Sequence, residues 1–371
     1  MADQEWYHIQ DADKLDTPAL VVYPERVKYN IGLAIKIAGG ADRLRPHVKT
    51  HKSGEVTKLM LHAGITKFKC ATIAEAEMLC LSGAPDVLLA YQPVGPKIER
   101  LIQLILKYPE TRLSCLADNK QTAGKIAERA KQSGVEVAVF IDLNTGQDRT
   151  GIAPDAVAID LYAYCSRLPG IKLSGLHAYD GHIHDADLEI RKKKCNDAFQ
   201  AVTWLENEIV KKGYSKPIIV AGGSPTFPIH AERPDVECSP GTFVYWDKGY
   251  GDSFKEQAFL PAALVVTRVI SLPDDTKICL DLGHKSIAAE RELKARVLLI
   301  NAPQAEIISQ SEEHLVIDAG KAHSCKQGDI VYGMPYHVCP TVALYERAFT
   351  IENGIITGEW KNTARDRKIT I

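Results

Sequence analysis

The sequence lacks the features that mark several large protein classes. Its nine cysteines include no C-x-x-C pair, and its formal net charge is only -2. No run of about 18 uncharged apolar residues occurs, which argues against a membrane-spanning helix. Irregularly spaced cysteines in a long chain indicate reduced thiols, and a balanced charge gives no general attraction to nucleic acid. We therefore expect a cytoplasmic protein that binds neither nucleic acid nor membrane.

Two nucleotide-binding motifs are also absent. No G-x-G-x-x-G follows the first predicted strand, and no G-x-x-x-x-G-K-[ST] occurs. An open, doubly wound nucleotide-binding sheet therefore loses support as the fold. Apolar strands instead alternate with amphipathic helices over residues 18–247, which is typical of a mostly parallel sheet covered by helices. Eight predicted strands precede Ser224 and a ninth lies near Val244, a number that a (β/α)8 TIM-type barrel accommodates.

The pattern changes after residue 248. Short strand-like runs separated by turn residues replace the helical period, and Asn353-Gly354 is a strong hairpin signal. We therefore predict an N-terminal segment over 1–17, a barrel over 18–247 and an all-β domain over 248–371.

Basic side chains are concentrated in the stretch RPHVKTHK. Alternate residues of a strand share a face, so Arg45, His47, Lys49 and His51 would lie together. Such a cluster suits an anionic ligand, or lowers the pKa of one lysine so that its amine forms a Schiff base with an aldehyde. The alternative is a solvated basic edge strand that binds nothing.

Two glycine-rich turns follow predicted strands, at the rim where barrels carry their chemistry. Gly222-Gly223-Ser224 and Gly241-Thr242 each offer backbone N–H groups and a hydroxyl with little steric bulk. Both suit a phosphate, although ordinary tight turns have the same composition. A phosphate-bearing aldehyde that requires a lysine is pyridoxal 5'-phosphate (PLP).

Three more residues of this rim are candidates for the cofactor site. We predict that Arg149 faces the phenolate oxygen of PLP and that His177 or Tyr179 stacks on or bonds its ring. Their alternatives are salt bridging at the rim and ordinary core packing.

His337 and Cys339 form an H-x-C pair in the predicted β domain. In an extended segment they share a face, and imidazole with thiolate favours zinc over magnesium or manganese. The remaining ligands would come from water, substrate or a distant residue. The alternative is a buried cysteine beside a histidine.

Eight segments occur in the order found in one enzyme family: RPHVKTHK, FKCATIAEAE, IDLNTGQDRTGI, GLHAYDGH, AGGSPTF, PGTFVYWD, SEEH and HVCPT. The sequence thus resembles the D-threonine aldolase and D-serine dehydratase family, PLP enzymes of the alanine racemase-like fold type III. The resemblance implies a PLP-binding (β/α)8 barrel with a C-terminal β domain, a homodimer, and Lys49 as the lysine that binds the cofactor. It also implies that Ala19–Tyr23 joins the β domain and that Val236–Trp246 closes the barrel.

The resemblance assigns His337 and Cys339 to the metal pair of the family. Histidine with cysteine and zinc is similar to the dehydratase branch, whereas the aldolase branch more often has aspartate and manganese-like metals. Two departures leave the substrate open. Ser239 stands where arginine is common, and DLGHKS at 281–286 differs from the usual Gly-Gly-Ser-Lys form.

These expectations describe a PLP- and zinc-dependent lyase of D-β-hydroxy amino acids. Our principal interpretation is dehydration to a 2-oxo acid and ammonia, with Lys49 removing the Cα proton. Retro-aldol cleavage to glycine and an aldehyde is the alternative, with His51 as a candidate base or a supporting residue. A racemase and a PLP carrier without enzymatic activity are further alternatives.

Overall fold

The computed structural model describes residues 5–371, which form two compact units. The first unit comprises the described residues up to Ile31, residues 50–55 and residues 242–365. The second comprises residues 32–49, 56–241 and 366–371. The predicted domain limits, 18–247 and 248–371, remain predictions, and residues 1–4 of the predicted N-terminal segment lie outside the described residues.

The helices are α1 Pro24–Ala38, α2 Gly54–His62, α3 Ile73–Leu81, α4 Pro96–Lys107, α5 Lys120–Gln132, α6 Ala156–Cys165, α7 Leu188–Lys211, α8 Phe227–Ala231, α9 Lys248–Ser253 and α10 Val338–Leu344. The strands are β1 Ala19–Val22, β2 Lys67–Cys70, β3 Asp86–Leu89, β4 Arg112–Ala117, β5 Val137–Asn144, β6 Ile171–Tyr179, β7 Ile218–Ala221, β8 Val236–Cys238, β9 Ala263–Ser271, β10 Lys277–Leu280, β11 Val297–Leu299, β12 Glu306–Gln310, β13 Leu315–Asp318, β14 Ile330–Pro335, β15 Arg347–Glu352 and β16 Ile355–Lys361.

The second unit is a parallel barrel in which β2 to β8 are neighbours in chain order. Single parallel bridges join Leu44 to Cys238 on β8 and His47 to Lys69 on β2. Residues 44–47 therefore lie between the two edges of the sheet, at the position of an eighth strand. The predicted (β/α)8 architecture is confirmed.

Large apolar side chains fill the interior of this barrel. Leu88, Leu116, Phe140 and Val220 come from β3, β4, β5 and β7 and form one buried cluster. Because strand residues alternate between faces, the neighbours of these residues in sequence point outward to the helices. The barrel interior at the level of this cluster is therefore packed and apolar.

The first unit contains a mixed sheet of nine strands. In this sheet β1 pairs with β9 in antiparallel and with β15 in parallel orientation, so the first strand of the chain belongs here. Asn353 and Gly354 have φ angles of 51° and 75° and join β15 to β16. Two left-handed residues at the tip are what a tight hairpin requires, and the predicted hairpin is confirmed.

Two predicted strands are shorter than the sequence suggested. Extended backbone in the basic stretch ends at His47, because residues 48–51 form a turn. The strand predicted over Val236–Trp246 ends at Cys238, and a 3-10 turn covers Thr242–Val244. In both places a turn carries the residues with the candidate chemistry.

Within residues 5–371, none of the helices combines the length and the apolar character that crossing a bilayer requires.

Gly175 provides a test of the barrel packing. A Cβ at this position would clash with the carbonyl oxygen of Ile218 on the adjacent strand. We expect Gly175→Ala to lower the free energy of unfolding by about 1–3 kcal/mol, since backbone cannot yield as a flexible side chain does. Urea-induced unfolding measures this change.

Gly32→Ala is the matched control, because a Cβ at Gly32 on α1 meets nothing within 4 Å. Replacement of this helical glycine should be neutral or stabilise the protein by up to about 1 kcal/mol. Equal unfolding curves for Gly175→Ala and wild type would contradict the packing described here.

Candidate functional site

Lys49 lies in the turn that follows the barrel-closing segment 44–47. Its backbone N–H donates a hydrogen bond to Nδ1 of His47 at 3.2 Å, and its side chain is exposed. Because the turn ends the strand alternation, Lys49 and His51 do not share a strand face with Arg45. The prediction of one basic face is therefore wrong.

Arg45 has its own anionic partners. Its guanidinium lies 2.6 Å from Asp86 and 2.7 Å from Glu237, and its side chain is fully buried. Asp86 is the first residue of β3, so this ion pair lies toward the amino-terminal end of the strands. The charge of Arg45 is thus balanced by carboxylates and is not available to a rim ligand.

His51 is a buried neutral imidazole. Its Nδ1 accepts the N–H of Ser53 at 3.1 Å, and its ring contacts Tyr245 edge-on. Burial lowers the pKa of His51 to about 3. With Nδ1 acting as acceptor, the ring proton is on Nε2, which has no hydrogen-bond partner among the described residues. His51 is therefore equipped as a hydrogen-bond donor, and the geometry argues against its predicted alternative role as a base.

His177 has the opposite polarity. Its Nδ1 lies 2.7 Å from Oδ1 of Asp142, and both side chains are buried. Burial lowers the pKa of His177, although the Asp142 carboxylate opposes that effect. A neutral ring that donates Nδ1–H to a carboxylate keeps its lone pair on Nε2, and this atom is buried without a partner among residues 5–371.

Tyr179 lies between two cations at the end of β6. The Arg149 guanidinium carbon is 5.1 Å from the centre of its ring, and the Lys69 amine is 5.3 Å from it. A Cβ on Gly181 would clash with the Tyr179 hydroxyl, and one on Gly223 would lie 3.1 Å from the ring. Glycine at both positions thus leaves space for the ring. Arg149, His177 and Tyr179, which the sequence predicted at one rim, line one small cavity.

The glycine-rich turn after β7 is already hydrogen-bonded internally. Gly222 donates its N–H to Ala178 O, and Gly223 donates to Thr226 Oγ1, both at 3.3 Å. The N–H of Gly241 donates to Ser224 Oγ, also at 3.3 Å. The sequence predicted free N–H groups here, and that part is wrong. A phosphate would have to replace these long bonds.

Lys69 was not among the predicted site residues. It lies on β2, only 2% of its surface is exposed, and its Nζ donates to Ser239 Oγ at 2.5 Å. Burial and the positive charge of Lys49 lower the pKa of Lys69 to about 7. The sequence predicted a lysine with a lowered pKa within the basic stretch, and Lys69, on the following strand, is a lysine with a lowered pKa.

His337 and Cys339 come together at the start of a helix and not along an extended strand. His337 is the N-cap residue of α10, and Cys339 lies in its first turn. Burial alone would lower the pKa of His337, but its hydrogen bonds to Cys339 and Glu290 raise it to about 9.

The hydroxyls of Thr50 and Thr242 approach Sγ of Cys339. Their distances from the sulfur are 3.2 Å for Thr50 and 3.7 Å for Thr242. The sequence predicted that Thr242 binds the phosphate of the cofactor, whereas in the structure its hydroxyl faces the thiol of Cys339. Thr50 is the residue that follows Lys49 in the chain.

Two acidic residues position the His337–Cys339 pair. Glu290 Oε1 lies 2.5 Å from Nδ1 of His337, which leaves Nε2 as the second ring nitrogen. Buried Asp247 accepts N–H groups from Tyr250 at 2.9 Å and Val338 at 3.1 Å, and so links the starts of α9 and α10. Asp247 ends the quoted segment PGTFVYWD, but no sequence signal pointed to Glu290.

Asp180, Cys195 and His230 form a buried group with the composition of a metal site. Their atoms already bond one another: His230 Nε2 lies 2.8 Å from Asp180 and 3.4 Å from the Cys195 sulfur. Burial raises the pKa of Cys195 to about 12, so without a metal the sulfur is a thiol that takes part in this hydrogen-bonded network. Thr226 links Asp180 to Gly223, so this network supports the glycine-rich turn.

The buried state of His51 predicts a specific acid sensitivity. Its pKa is below the value of about 6.5 that an unfolded histidine has, so the unfolded chain binds the extra proton as pH falls. The free energy of unfolding should therefore decrease below about pH 6.5, by up to about 1.4 kcal/mol per pH unit from this residue. His51→Asn should have a shallower dependence in urea titrations at several pH values.

His8→Asn is the control for this measurement, because His8 is exposed. Its pH dependence should match that of wild type. An unchanged slope in His51→Asn would show that His51 is protonated in the folded protein.

Two family models match the chain. The model "Alanine racemase, N-terminal domain" matches residues 22–248, and "Putative serine dehydratase domain" matches residues 262–351. The first alone spans more than half of the 371 residues.

Relatives with known names match over nearly the whole chain. D-threonine aldolase of Arthrobacter sp is 26% identical over 95% of this chain and 93% of its own length. D-threo-3-hydroxyaspartate dehydratase of Delftia sp. (strain HT23) is 27% identical over 89% of this chain and 93% of its own. Alanine racemase of Clostridium tetani matches only 44% of this chain and 40% of its own, at 27% identity.

Solved structures share the fold. D-threonine aldolase from Filomicrobium marinum superposes with a TM-score of 0.87 at 24% identity, over 94% of this chain and 95% of the other. A metal-free D-threo-3-hydroxyaspartate dehydratase with a cysteine replaced by alanine has a TM-score of 0.78 at 22% identity, over 94% and 98%. The predicted enzyme class, a PLP-dependent lyase, is confirmed by the relatives that match nearly the whole chain. The chain belongs to the alanine racemase-like, fold type III family of PLP enzymes that includes D-threonine aldolase and D-serine dehydratase.

Proposed function

We propose that this protein is a PLP- and zinc-dependent lyase that dehydrates a D-β-hydroxy amino acid to a 2-oxo acid and ammonia. The contact of 3.2 Å between Thr50 and Cys339 carries the proposal. Because Thr50 follows Lys49 directly, one member of the proposed metal pair contacts the residue next to the proposed cofactor lysine. Such a reaction needs an amine and a Lewis acid at one substrate.

The residues of the barrel rim fit PLP. Lys49 offers an exposed amine, Arg149 a guanidinium and Tyr179 an aromatic face, while Nε2 of His177 is a buried acceptor without a partner among the described residues. The proposed phosphate-binding residues are Gly222, Gly223, Ser224, Gly241 and Thr242. His47 supports the Lys49 backbone through its Nδ1. When bound, PLP supplies an electron sink for charge that develops at Cα.

Lys49 and His51 have different roles in the proposed proton transfers. Lys49, the proposed attachment point of the cofactor, has an exposed amine and is assigned to move the Cα proton. His51 cannot accept a proton at Nε2, because that atom already carries one, so we assign it as a donor that supports the site. This polarity favours loss of hydroxide over retro-aldol cleavage, which needs a base at the β-hydroxyl.

The donor set of His337 and Cys339 fits zinc. Imidazole and thiolate are ligands that zinc prefers, and the carboxylate of Glu290 on Nδ1 leaves Nε2 for a metal. A bound zinc ion supplies Lewis acidity for departure of the hydroxyl.

D-threonine aldolase activity is the second candidate function. It is favoured by the relative that matches 95% of this chain, which bears that name. A racemase is less favoured, because the match to alanine racemase of Clostridium tetani covers 44% of the chain. The cytoplasmic location and the homodimer remain predictions, and sedimentation equilibrium tests the second.

Product analysis distinguishes these activities. The purified protein with PLP and either zinc or manganese is incubated with the D and L forms of serine, threonine and 3-hydroxyaspartate. We expect 2-oxo acid and ammonia from at least one D substrate, with zinc more effective than manganese. Glycine and an aldehyde would identify the aldolase, and no reaction with any of these compounds would contradict a lyase.

Lys49→Ala tests the assignment of the cofactor lysine. We expect this variant to lose at least about 10³-fold in kcat, as removal of a covalent catalytic group does. Lys52→Ala, three positions along the chain, is the control and should retain the activity of wild type. Comparable activity in both variants would exclude Lys49.

Glu290→Gln tests the carboxylate that orients His337. Loss of such a partner typically weakens metal binding, here by about 10–100-fold, which competition with a zinc chelator measures directly. Glu292→Gln, at an exposed position two residues on, should bind zinc like wild type. Unchanged affinity in Glu290→Gln would show that Glu290 does not support the metal.

A further inference from the structure

Lys69 is a buried lysine that the proposed mechanism does not use. Among the described residues, the one hydrogen bond of its Nζ is to Ser239 Oγ, and this nitrogen forms no ion pair with a carboxylate there. Lys69 is 2% exposed, and a buried ammonium without an anionic partner is costly. A buried amine of this kind is expected where a bound ligand provides a further hydrogen-bond acceptor.

Lys67, on the same strand, has the carboxylate partner that a buried or partly buried lysine usually has. Its Nζ lies 2.6 Å from Glu237, and its side chain is partly exposed. Lys67 and Lys69 lie two residues apart, so their side chains share one face of β2. Lys67 is the first residue of the strand, whereas Lys69 lies nearer its carboxyl end. The lysine at the amino-terminal end has a carboxylate, whereas the lysine at the carboxyl rim has a hydroxyl.

The surroundings of Lys69 are those of the proposed cofactor site. Its Nζ faces the Tyr179 ring at 5.3 Å, and the charged groups that act on it are Lys49, Asp180, Asp142 and Arg45. Lys49 has the largest effect after burial and lowers the pKa of Lys69 toward neutrality. Both amines therefore belong to one rim.

Ser239 is the position at which the family commonly carries arginine. The hydroxyl of Ser239 donates to Gly222 O at 2.7 Å and accepts from Lys69 at 2.5 Å. In this protein an amine thus reaches the position of Ser239 from β2, although Ser239 itself, the residue after β8, is neutral.

The polar groups of PLP can be matched to the proposed site one at a time. Lys49 takes the aldehyde, Arg149 the phenolate, and the turns at Ser224 and Gly241 the phosphate. No single residue has been assigned to the ring nitrogen, and Lys69 is a buried polar side chain facing Tyr179 that has no role in the proposed function.

We propose that Lys69, held by Ser239, donates a hydrogen bond to the ring nitrogen of bound PLP. This inference rests on the proposed function, since it requires PLP at this rim. Lys69 is a positioning residue for the ring and sets how strongly the ring draws electron density from Cα.

The test uses full-length protein loaded with PLP labelled with 15N at the ring nitrogen. In wild type the 15N resonance should have the shift of a hydrogen-bonded ring nitrogen. In Lys69→Met it should move toward that of a nitrogen without a donor, and the affinity for PLP should fall about tenfold. Lys67→Met is the matched control and should leave both unchanged.

Ser239→Ala keeps the amine and removes its anchor, so it serves if Lys69→Met does not fold. It should shift the resonance in the same direction by a smaller amount. Borohydride reduction separates the two proposals: label on Lys49 in wild type supports the proposed function. With that label in place, a 15N resonance and PLP affinity unchanged in both variants would overturn only the role of Lys69. Label on Lys69 would overturn both assignments.

Discussion

The contact between the Thr50 hydroxyl and the Cys339 sulfur, 3.2 Å long, is the interaction on which the account of this enzyme depends. The basic stretch forms barrel backbone only as far as His47 and then turns. The turn places Thr50 against the proposed metal pair within one compact unit, while a single peptide bond joins Thr50 to Lys49. Consecutive Cα atoms are only about 3.8 Å apart, so the proposed cofactor lysine is the direct chain neighbour of a residue that contacts the thiol.

Three histidines show how local hydrogen bonds assign chemical roles. In each, the partner of Nδ1 decides what Nε2 can do. The backbone N–H of Ser53 makes Nε2 of His51 a donor, whereas the carboxylate of Asp142 makes Nε2 of His177 an acceptor. The carboxylate of Glu290 likewise occupies Nδ1 of His337 and leaves Nε2 for the proposed metal.

The barrel and the hairpin could be predicted from the sequence because they follow from local periodicity and turn chemistry. Alternation of strands and helices gave β2 to β8, and Asn353-Gly354 gave the turn between β15 and β16. Two segments that were predicted to be extended are not. The basic stretch turns at residues 48–51, and His337 is the N-cap residue of α10.

Contacts between distant residues were beyond sequence reasoning. Glu290 and His337 are 47 positions apart, and Lys69 and Ser239 are 170 apart, with no periodic pattern connecting either pair. The lowered pKa of Lys69 depends on burial and on Lys49, neither of which is visible in the order of residues. The family resemblance supplied the proposed metal pair but not the carboxylate bonded to its histidine.

A crystal structure of the enzyme with PLP and zinc, measured at the zinc absorption edge, tests the central claim most directly. The account predicts continuous density from Nζ of Lys49 to the cofactor and an anomalous peak bonded to Nε2 of His337 and Sγ of Cys339. Cofactor density joined to another lysine, or zinc at Asp180, Cys195 and His230 with none at Cys339, would contradict it.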